Sequence, residues 1–252
     1  MKKLAINITL KQVLTSPIWL LRAWRLRSKA RKYQKTPELL PIEDRYSYIL
    51  KLSKKILKMY NIDLVVEGYD NLPANGGVIL APNHKSNIDP IVLIAALQKQ
   101  SEEAGAMHKY PTFIAKDELN KKLMVGNALK LLDCATIDRK NFRESIQKLF
   151  NFTKEIKANK TYGVIFPEGT RVKGDELGEF KGGAFTAAQK NLNNIVPVCI
   201  KNSEFALDKT KRKGRLTITV KFLPVLKANN FLAQDSKSIG EHVRNLIAKE
   251  MR

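Results

Sequence analysis

From residue 61 onward, short apolar runs alternate with longer stretches in which apolar residues recur every three or four positions. Short runs rich in Val, Ile and Phe are typical of strands, and the longer spacing is typical of helices. The predicted strands are 62–67, 77–81, 112–115, 135–138, 162–166, 195–201 and 216–222. The predicted helices are 89–98, 121–131, 142–158, 183–191 and 236–250. This alternation predicts an α/β domain over 61–252, with a mainly parallel central sheet flanked by helices.

The first 60 residues follow a different pattern, in which two helical stretches are separated by Pro37 and Pro41. Residues 43–60 place apolar side chains at helical spacing and predict one helix. In the preceding stretch, Pro17 is expected to start or kink another helix. Residues 1–60 are therefore predicted to form an amphipathic two-helix segment in front of the α/β domain.

Positive charge is concentrated in that N-terminal segment. The chain carries 45 Lys and Arg against 24 Asp and Glu, and ten of the basic residues but none of the acids lie in 1–37. Both tryptophans, Trp19 and Trp24, lie there beside Leu20. Basic residues interleaved with Trp and Leu are typical of a helix in the headgroup layer of an anionic bilayer. We therefore expect membrane contact through these three residues, the alternative being a basic helix packed on its own domain.

No part of the sequence reaches the roughly 18 uninterrupted apolar residues that a spanning helix needs. Lys11 interrupts the apolar run 4–10, and no cleavage site of a signal peptide follows. We expect a peripheral, monotopic protein at the cytoplasmic face of the cell membrane. Cys134 and Cys199 are interpreted as buried thiols in a reducing compartment. The three histidines lack metal-ligand spacing, so no metal and no cofactor are expected.

A histidine and an aspartate follow the predicted strand 77–81. His84 has a side chain suited to a general base, and Asp89 can accept a hydrogen bond from one ring nitrogen and leave the other free. Ser86 lies close by, but no Gly-x-Ser-x-Gly nucleophile motif is present. Two simpler interpretations stay open at this point. Asp89 before Pro90 also suits a helix N-cap, and His84 also suits an ordinary loop histidine.

Residues suited to bind an anionic group, or, for Glu168 and Thr170, the hydroxyls of a ligand, follow other predicted strands or begin a helix. They are Arg139, Glu168, Gly169, Thr170, Arg171 and Lys181. An arginine fork matches a phosphate, a glycine exposes backbone in a tight turn, and amides at a helix start attract anions. Each alone has an ordinary interpretation as a solvated turn. Because they follow strands as His84 does, together they indicate one anion-binding site beside a base.

Together these residues resemble the glycerolipid acyltransferase family, and most closely its 1-acylglycerol-3-phosphate acyltransferases. Four sequence blocks carry the resemblance in order over 83–198: Asn83-His84 to Asp89 with Ser86 and Pro90, Ile137-Asp138-Arg139, Phe166-Pro167-Glu168-Gly169-Thr170-Arg171, and Ile195-Val196-Pro197-Val198. The likeness fades over 1–60 and beyond about 225. Val172 stands where many members have Ser, and Leu132 to Ala135 replace the usual glycine–aromatic lead-in of the second block.

The resemblance implies a glycerol-3-phosphate acyltransferase-like fold and a reaction that needs no metal. His84 would take the proton from the free hydroxyl of lysophosphatidic acid while Asp89 holds the ring. The oxygen would attack the thioester of acyl-CoA or acyl carrier protein, giving phosphatidic acid for phospholipid synthesis. Arg139, Arg171 and Lys181 would hold the acceptor phosphate, and Glu168 would orient the glycerol part.

Three other functions agree with parts of the sequence. A nucleic-acid-binding protein would suit the charge and the run 209–215, but no nucleic-acid module is recognisable, so no nucleic acid is expected as a partner. A non-catalytic membrane-tethering relative is opposed by the intact His84 and Asp89 pair. An acyltransferase with another acceptor, such as glycerol 3-phosphate or a different lysophospholipid, is the strongest alternative.

Overall fold

A computed structural model describes residues 7–101, 107–174, 176–208 and 214–251. The basic run predicted as a loop tip, 209–215, lies mostly outside these residues. The helices are α1 (Ile8–Lys35), α2 (Ile42–Met59), α3 (Asp89–Ala96), α4 (Leu123–Leu131), α5 (Phe142–Ala158), α6 (Gly183–Lys190) and α7 (Ser236–Met251). The strands are β1 (Ile62–Glu67), β2 (Val78–Pro82), β3 (Pro111–Lys116), β4 (Ala135–Ile137), β5 (Tyr162–Val164), β6 (Asn194–Lys201) and β7 (Leu216–Phe222).

The strands form one seven-stranded sheet in the order β1-β7-β6-β2-β5-β3-β4. Every neighbouring pair is parallel except β6 and β7, which are antiparallel. The prediction of a mainly parallel sheet flanked by helices is therefore confirmed. Observed strand ends differ by at most two residues from the predicted ones. At β2 the cause is Gly77, whose φ of 69° keeps it out of the extended strand.

The core lies on both faces of the sheet, as alternating side chains of β2 show. Val78 and Leu80 join a cluster that includes α2 and α3, whereas Ile79 and Ala81 join a cluster with α5, α6 and α7. All five residues of β2 are buried. The central strand that leads to His84 is thus held from both sides, which fixes the position of its end.

Helix α1 begins nine residues before the proline that was expected to start or kink it. Asn7 caps the helix, because its Oδ1 accepts from the amides of Thr9 at 2.8 Å and Leu10 at 3.2 Å. Pro17 therefore lies inside the helix, and the prediction that it starts one is wrong. A proline there leaves the carbonyl of Val13 without its usual amide partner. The hydroxyl of Ser16 donates to that carbonyl at 2.8 Å instead.

The C-terminal part of α1 is attached to the α/β domain by a small polar network. Asp133 accepts from the Tyr33 hydroxyl and from the Arg45 guanidinium, both at 2.6 Å. The guanidinium also lies over the Tyr33 ring, 4.1 Å from its centroid, and donates to the carbonyl of Leu131. Helix α2 contributes to the same core as the sheet. A domain boundary near residue 60 stays a prediction.

Candidate active site

The loop that carries His84 leaves the sheet at the end of β2. Asn83 is completely buried, and its side chain continues the pairing of β2 with β6. Its Nδ2 donates to the carbonyl of Ile200 at 3.0 Å, and its Oδ1 accepts from the Ile200 amide at 2.7 Å. The side-chain amide thus takes the place of a strand neighbour where the chain turns away. This pair of bonds fixes the residue immediately before the histidine.

His84 and Asp89 are joined as the sequence predicts. The distance from His84 Nδ1 to Asp89 Oδ2 is 2.8 Å. The same carboxylate oxygen accepts from the backbone amides of Lys85 and Ser86, each at 2.8 Å. Because an ionised carboxylate only accepts, Nδ1 carries the proton and Nε2 is left as an acceptor. The N-cap interpretation of Asp89 does not hold, since it is the first residue of α3 and its carboxylate points back to the loop.

The imidazole of His84 is also held from one face. Its ring stacks on Phe166, with 4.1 Å between the centroids and 29° between the planes. Its side chain is 18% exposed, whereas that of Asp89 is 0% exposed. Ser86 is buried, and its hydroxyl accepts from the Ile88 amide at 3.4 Å. The aspartate side chain is therefore inaccessible to solvent, whereas the ring of His84 is accessible to a substrate.

Glu168 lies below the surface next to this pair. Only 3% of it is exposed, and burial raises the pKa of its carboxyl to about 7. The His84 amide, Lys85 and Arg244 act in the opposite direction on that pKa. Neither carboxylate oxygen has a hydrogen bond of good geometry within the described part of the chain. A carboxyl group that titrates near neutrality thus lies beside the candidate base.

The remaining predicted binding residues lie at the surface. Arg139, Thr170, Arg171 and Lys181 are exposed, and Gly169 is half-buried with a φ of 68°. A Cβ on Gly169 would lie 3.5 Å from Lys181 Nζ, so the lysine side chain lies over this turn. The turn at Gly169 and the side chain of Lys181 therefore lie next to each other.

The sheet order decides how these groups lie relative to His84. Strands β2 and β5 are parallel neighbours, so the histidine and the turn 166–171 emerge at the same edge, as expected. Strand β4, which precedes Arg139, is three positions from β2. At ~4.8 Å a step, Arg139 starts about 14 Å to the side of the His84 strand. Arg171 is thus the nearer of the two arginines by topology.

Known proteins resemble this chain over most of its length. A family model described as Acyltransferase matches residues 63–201. A probable 1-acyl-sn-glycerol-3-phosphate acyltransferase of Mycoplasma pneumoniae is 33% identical over 248 residues, which cover 95% of this chain and 90% of the relative. The chain belongs to the acyltransferase family.

Two further proteins resemble this acyltransferase at greater distance. The human 1-acyl-sn-glycerol-3-phosphate acyltransferase alpha is 26% identical over 206 residues, 81% of this chain and 69% of that one. The crystal structure of the 1-acyl-sn-glycerophosphate acyltransferase PlsC from Thermotoga maritima is 21% identical and superposes with a TM-score of 0.69. The superposition covers 97% of this chain and 94% of the PlsC chain. At that identity the likeness establishes the shared fold.

Sequence reasoning missed two cations of the acyltransferase, Lys85 and Arg244. Lys85 is buried, and its Nζ donates to the carbonyls of Gly174, at 2.8 Å, and Glu176. Arg244 donates from α7 to the carbonyls of Gly178 and Leu177, at 2.9 and 2.8 Å. Both bind backbone carbonyls, for which a sequence has no motif. The position of Lys85 inside the His-x4-Asp block was the one available signal.

The residues predicted to touch the membrane lie on two sides of α1. Leu20 is 74% and Trp24 65% exposed. Trp19 is half-buried, with the Arg22 guanidinium 4.6 Å from its ring centroid. None of the described helices combines the length and apolar character needed to cross a bilayer. Within the same residues no three His, Cys, Asp or Glu side chains group as metal ligands.

Proposed function

We propose that this acyltransferase moves a fatty acyl chain from acyl-CoA or acyl carrier protein to the sn-2 hydroxyl of 1-acyl-sn-glycerol 3-phosphate, giving phosphatidic acid. The observation that carries the proposal is the bond from His84 Nδ1 to an Asp89 oxygen that two backbone amides also hold. This arrangement presents Nε2 as a base on an accessible ring. The acceptor follows the names of the relatives from Mycoplasma pneumoniae and human, both described as 1-acyl-sn-glycerol-3-phosphate acyltransferases.

In the proposed reaction, Nε2 of His84 takes the proton of the acceptor hydroxyl while the hydroxyl oxygen attacks the thioester carbonyl carbon. The C–O bond forms, the C–S bond breaks, and the leaving thiolate takes the proton back from the imidazolium. Asp89 stabilises the imidazolium between these steps because its carboxylate is buried and 2.8 Å from Nδ1. A thioester is already activated, so no serine nucleophile is needed.

The cations near the site suit an acceptor that bears a phosphate. Arg171 and Lys181 are exposed and flank the Gly169 turn on the strand next to β2. Within the described residues no ion pair involves either of them. An arginine fork and a lysine ammonium bind phosphate oxygens strongly when they converge on one group. We assign the acceptor phosphate to these two residues, with Arg139 at the outer side.

An acceptor panel tests the assignment. The purified protein receives one acyl-CoA or acyl carrier protein donor and, in separate assays, 1-acylglycerol 3-phosphate, glycerol 3-phosphate and a lysophospholipid without a terminal phosphate. We expect kcat/KM to be highest for 1-acylglycerol 3-phosphate. A higher value for glycerol 3-phosphate would move the proposal to that acceptor, and activity with the third acceptor alone would refute the phosphate site.

The exposed face of α1 supports a peripheral attachment to an anionic membrane. Between residues 10 and 24, one face of the helix carries large apolar side chains in contact with solvent. They are Leu10, Val13, Leu14, Ile18, Leu20, Leu21 and Trp24. The opposite face is also apolar, with Ala23, Leu26 and Ala30 buried, so α1 has two apolar faces and is not amphipathic in the simple sense expected.

Beyond Trp24 the exposed face of α1 changes from apolar to basic. Arg31, Lys32 and Lys35 continue the line of Leu21 and Trp24 at helical spacing and are exposed. The apolar part is about 21 Å long at 1.5 Å a residue. This arrangement suits entry of the N-terminal half into the acyl region and contact of the basic half with anionic headgroups. We place the enzyme on the cytoplasmic face of the cell membrane by this helix.

Sedimentation with vesicles tests the attachment. The double substitution Leu20→Asp and Trp24→Asp puts two charges on the exposed face, so the variant should remain in the supernatant with phosphatidylglycerol vesicles that pellet the wild type. Leu192→Asp, an exposed leucine after α6, is the matched control and should pellet normally. If the double variant pellets as the wild type does, α1 is not the membrane contact.

A further inference from the structure

The described residues between Arg171 and Lys181 form a segment without regular secondary structure, yet it is held at several points. At its start, the Val172 amide donates to the carbonyl of His84 at 2.9 Å. At its end, the Lys181 amide donates to the carbonyl of Pro167 at 3.0 Å. We call the described residues between these ends, 172–174 and 176–180, the connecting segment. It joins the two cations assigned to the acceptor phosphate.

Two buried or half-buried cations hold the connecting segment from opposite sides. Lys85 reaches its first half from the catalytic loop, at the carbonyls of Gly174 and Glu176. Arg244 reaches its second half from α7, at the carbonyls of Leu177 and Gly178. Within the described residues neither cation forms an ion pair with a carboxylate. Their hydrogen bonds therefore go to the backbone of a segment that would otherwise leave carbonyls unpaired.

The connecting segment also packs directly on Glu168. A Cβ on Gly178 would come within 2.7 Å of Val172 Cγ2 and 3.5 Å of Glu168 Cγ, so only a glycine allows this approach. The segment thus covers a buried carboxyl group, and the exposed cations Arg171 and Lys181 flank it in the chain. Arg171 and Lys181 directly precede and follow the segment, so the position of the segment bears on where these two cations lie relative to His84.

We infer that Lys85 and Arg244 are positioning residues for the acceptor: they hold the connecting segment against the catalytic loop so that Arg171 and Lys181 meet the acceptor phosphate. The inference rests on the proposed function, since it assigns these two cations to that phosphate. Lys85 and Arg244 act through the segment and touch no reacting atom. Their loss should therefore affect acceptor binding more than donor binding or the chemical step.

Steady-state kinetics of Arg244→Met test this role. We expect the KM for 1-acylglycerol 3-phosphate to rise about tenfold, equivalent to ~1.4 kcal/mol, while the donor KM stays unchanged. Arg244→Lys keeps a donor of the same charge and should recover part of the loss. Lys249→Met, an exposed cation of the same helix, should match the wild type. An unchanged acceptor KM in Arg244→Met, or an equal rise in both KM values, would overturn the inference.

Hydrogen exchange separates this inference from the proposed function, because it needs no substrate. Amides of the connecting segment should exchange faster in Lys85→Met and in Arg244→Met than in the wild type or in Lys249→Met, while β2 amides keep their protection. Equal exchange in all four proteins would overturn the inference that Lys85 and Arg244 hold the connecting segment. If exchange responds as expected but the wild type fails to acylate 1-acylglycerol 3-phosphate, the proposed acceptor falls and the structural role of the two cations stands.

Discussion

Replacement of Asp89 by asparagine separates its electrostatic role from its shape. The carboxylate is completely buried, and its Oδ2 accepts three hydrogen bonds, from His84 Nδ1 and from the amides of Lys85 and Ser86. Asparagine has nearly the same volume but no negative charge. If its oxygen takes the Oδ2 position, its NH2 group occupies the place of Oδ1, which has no partner within the described residues. If it turns the other way, NH2 faces the two amides.

Both orientations leave a buried donor unpaired, which costs ~1–3 kcal/mol of unfolding free energy. The effect on catalysis is larger. Without the carboxylate, the imidazolium formed during proton transfer loses its counter-charge, and the tautomer with a free Nε2 is no longer enforced. Loss of a general base typically reduces kcat by about 10²–10⁴-fold, and we expect Asp89→Asn to fall in this range.

The assay compares kcat at saturating donor and acceptor with the urea midpoint of each protein. Asp44→Asn, the same chemical change at an exposed position of α2, serves as the control and should behave as the wild type in both measurements. An Asp89→Asn protein that folds and keeps more than about a tenth of the wild-type kcat would refute the orienting role. A loss of stability with full activity in the folded fraction would assign Asp89 a structural role alone.

Three further predictions concern the surroundings of the base. The folded-state pKa of Glu168, about 7, lies above its ordinary value of 4.5, so wild-type stability should fall as pH rises from about 4.5 to about 7. Urea unfolding at about pH 5 and about pH 8 measures this fall in unfolding free energy, which should be smaller in Glu168→Gln than in the wild type, by ~2–3 kcal/mol at most. An equal fall in both proteins would contradict the burial argument. Asn83→Ala leaves the buried Ile200 amide and carbonyl unpaired and should lower the unfolding free energy by ~2–4 kcal/mol. The matched change at an exposed position, Asn87→Ala, should lower it little. Equal urea midpoints for the two variants would show that the Asn83 bonds are not needed for stability. Gly169→Ala puts a side chain on a residue with positive φ beside Lys181. The unfolding free energy should therefore drop by ~1–2 kcal/mol, and the acceptor KM should rise. An unchanged acceptor KM would place Lys181 outside the phosphate site.

The fold was largely predictable because its signals are local. Each strand of the sheet is a short apolar run, and each flanking helix repeats apolar residues at helical spacing, so their order alone indicates a parallel α/β sheet. The start of α1 was missed because a proline inside a helix usually breaks it. Here the hydroxyl of Ser16 takes the carbonyl of Val13 that Pro17 leaves free, and Asn7 caps the helix earlier.

The candidate site was predictable where it depends on neighbours in the chain. His84 and Asp89 are five residues apart after one strand, so a turn brings them together, and the parallel pairing of β2 and β5 brings Glu168 to the same edge. The burial of Glu168 was not predictable, since it depends on a segment whose position is set by Arg244 on the last helix. Contacts from a side chain to distant backbone carbonyls leave no spacing pattern.

The most direct test of the account is product formation by the wild type and by His84→Ala, each given 1-acylglycerol 3-phosphate and a labelled thioester donor in mixed micelles with anionic lipid. His242→Ala, an exposed histidine on α7, controls for loss of a histidine as such. The account predicts phosphatidic acid labelled at the sn-2 position from the wild type and the control, and a rate at least about 10²-fold lower from His84→Ala. Equal rates from wild type and His84→Ala would contradict the assignment of His84 as the base.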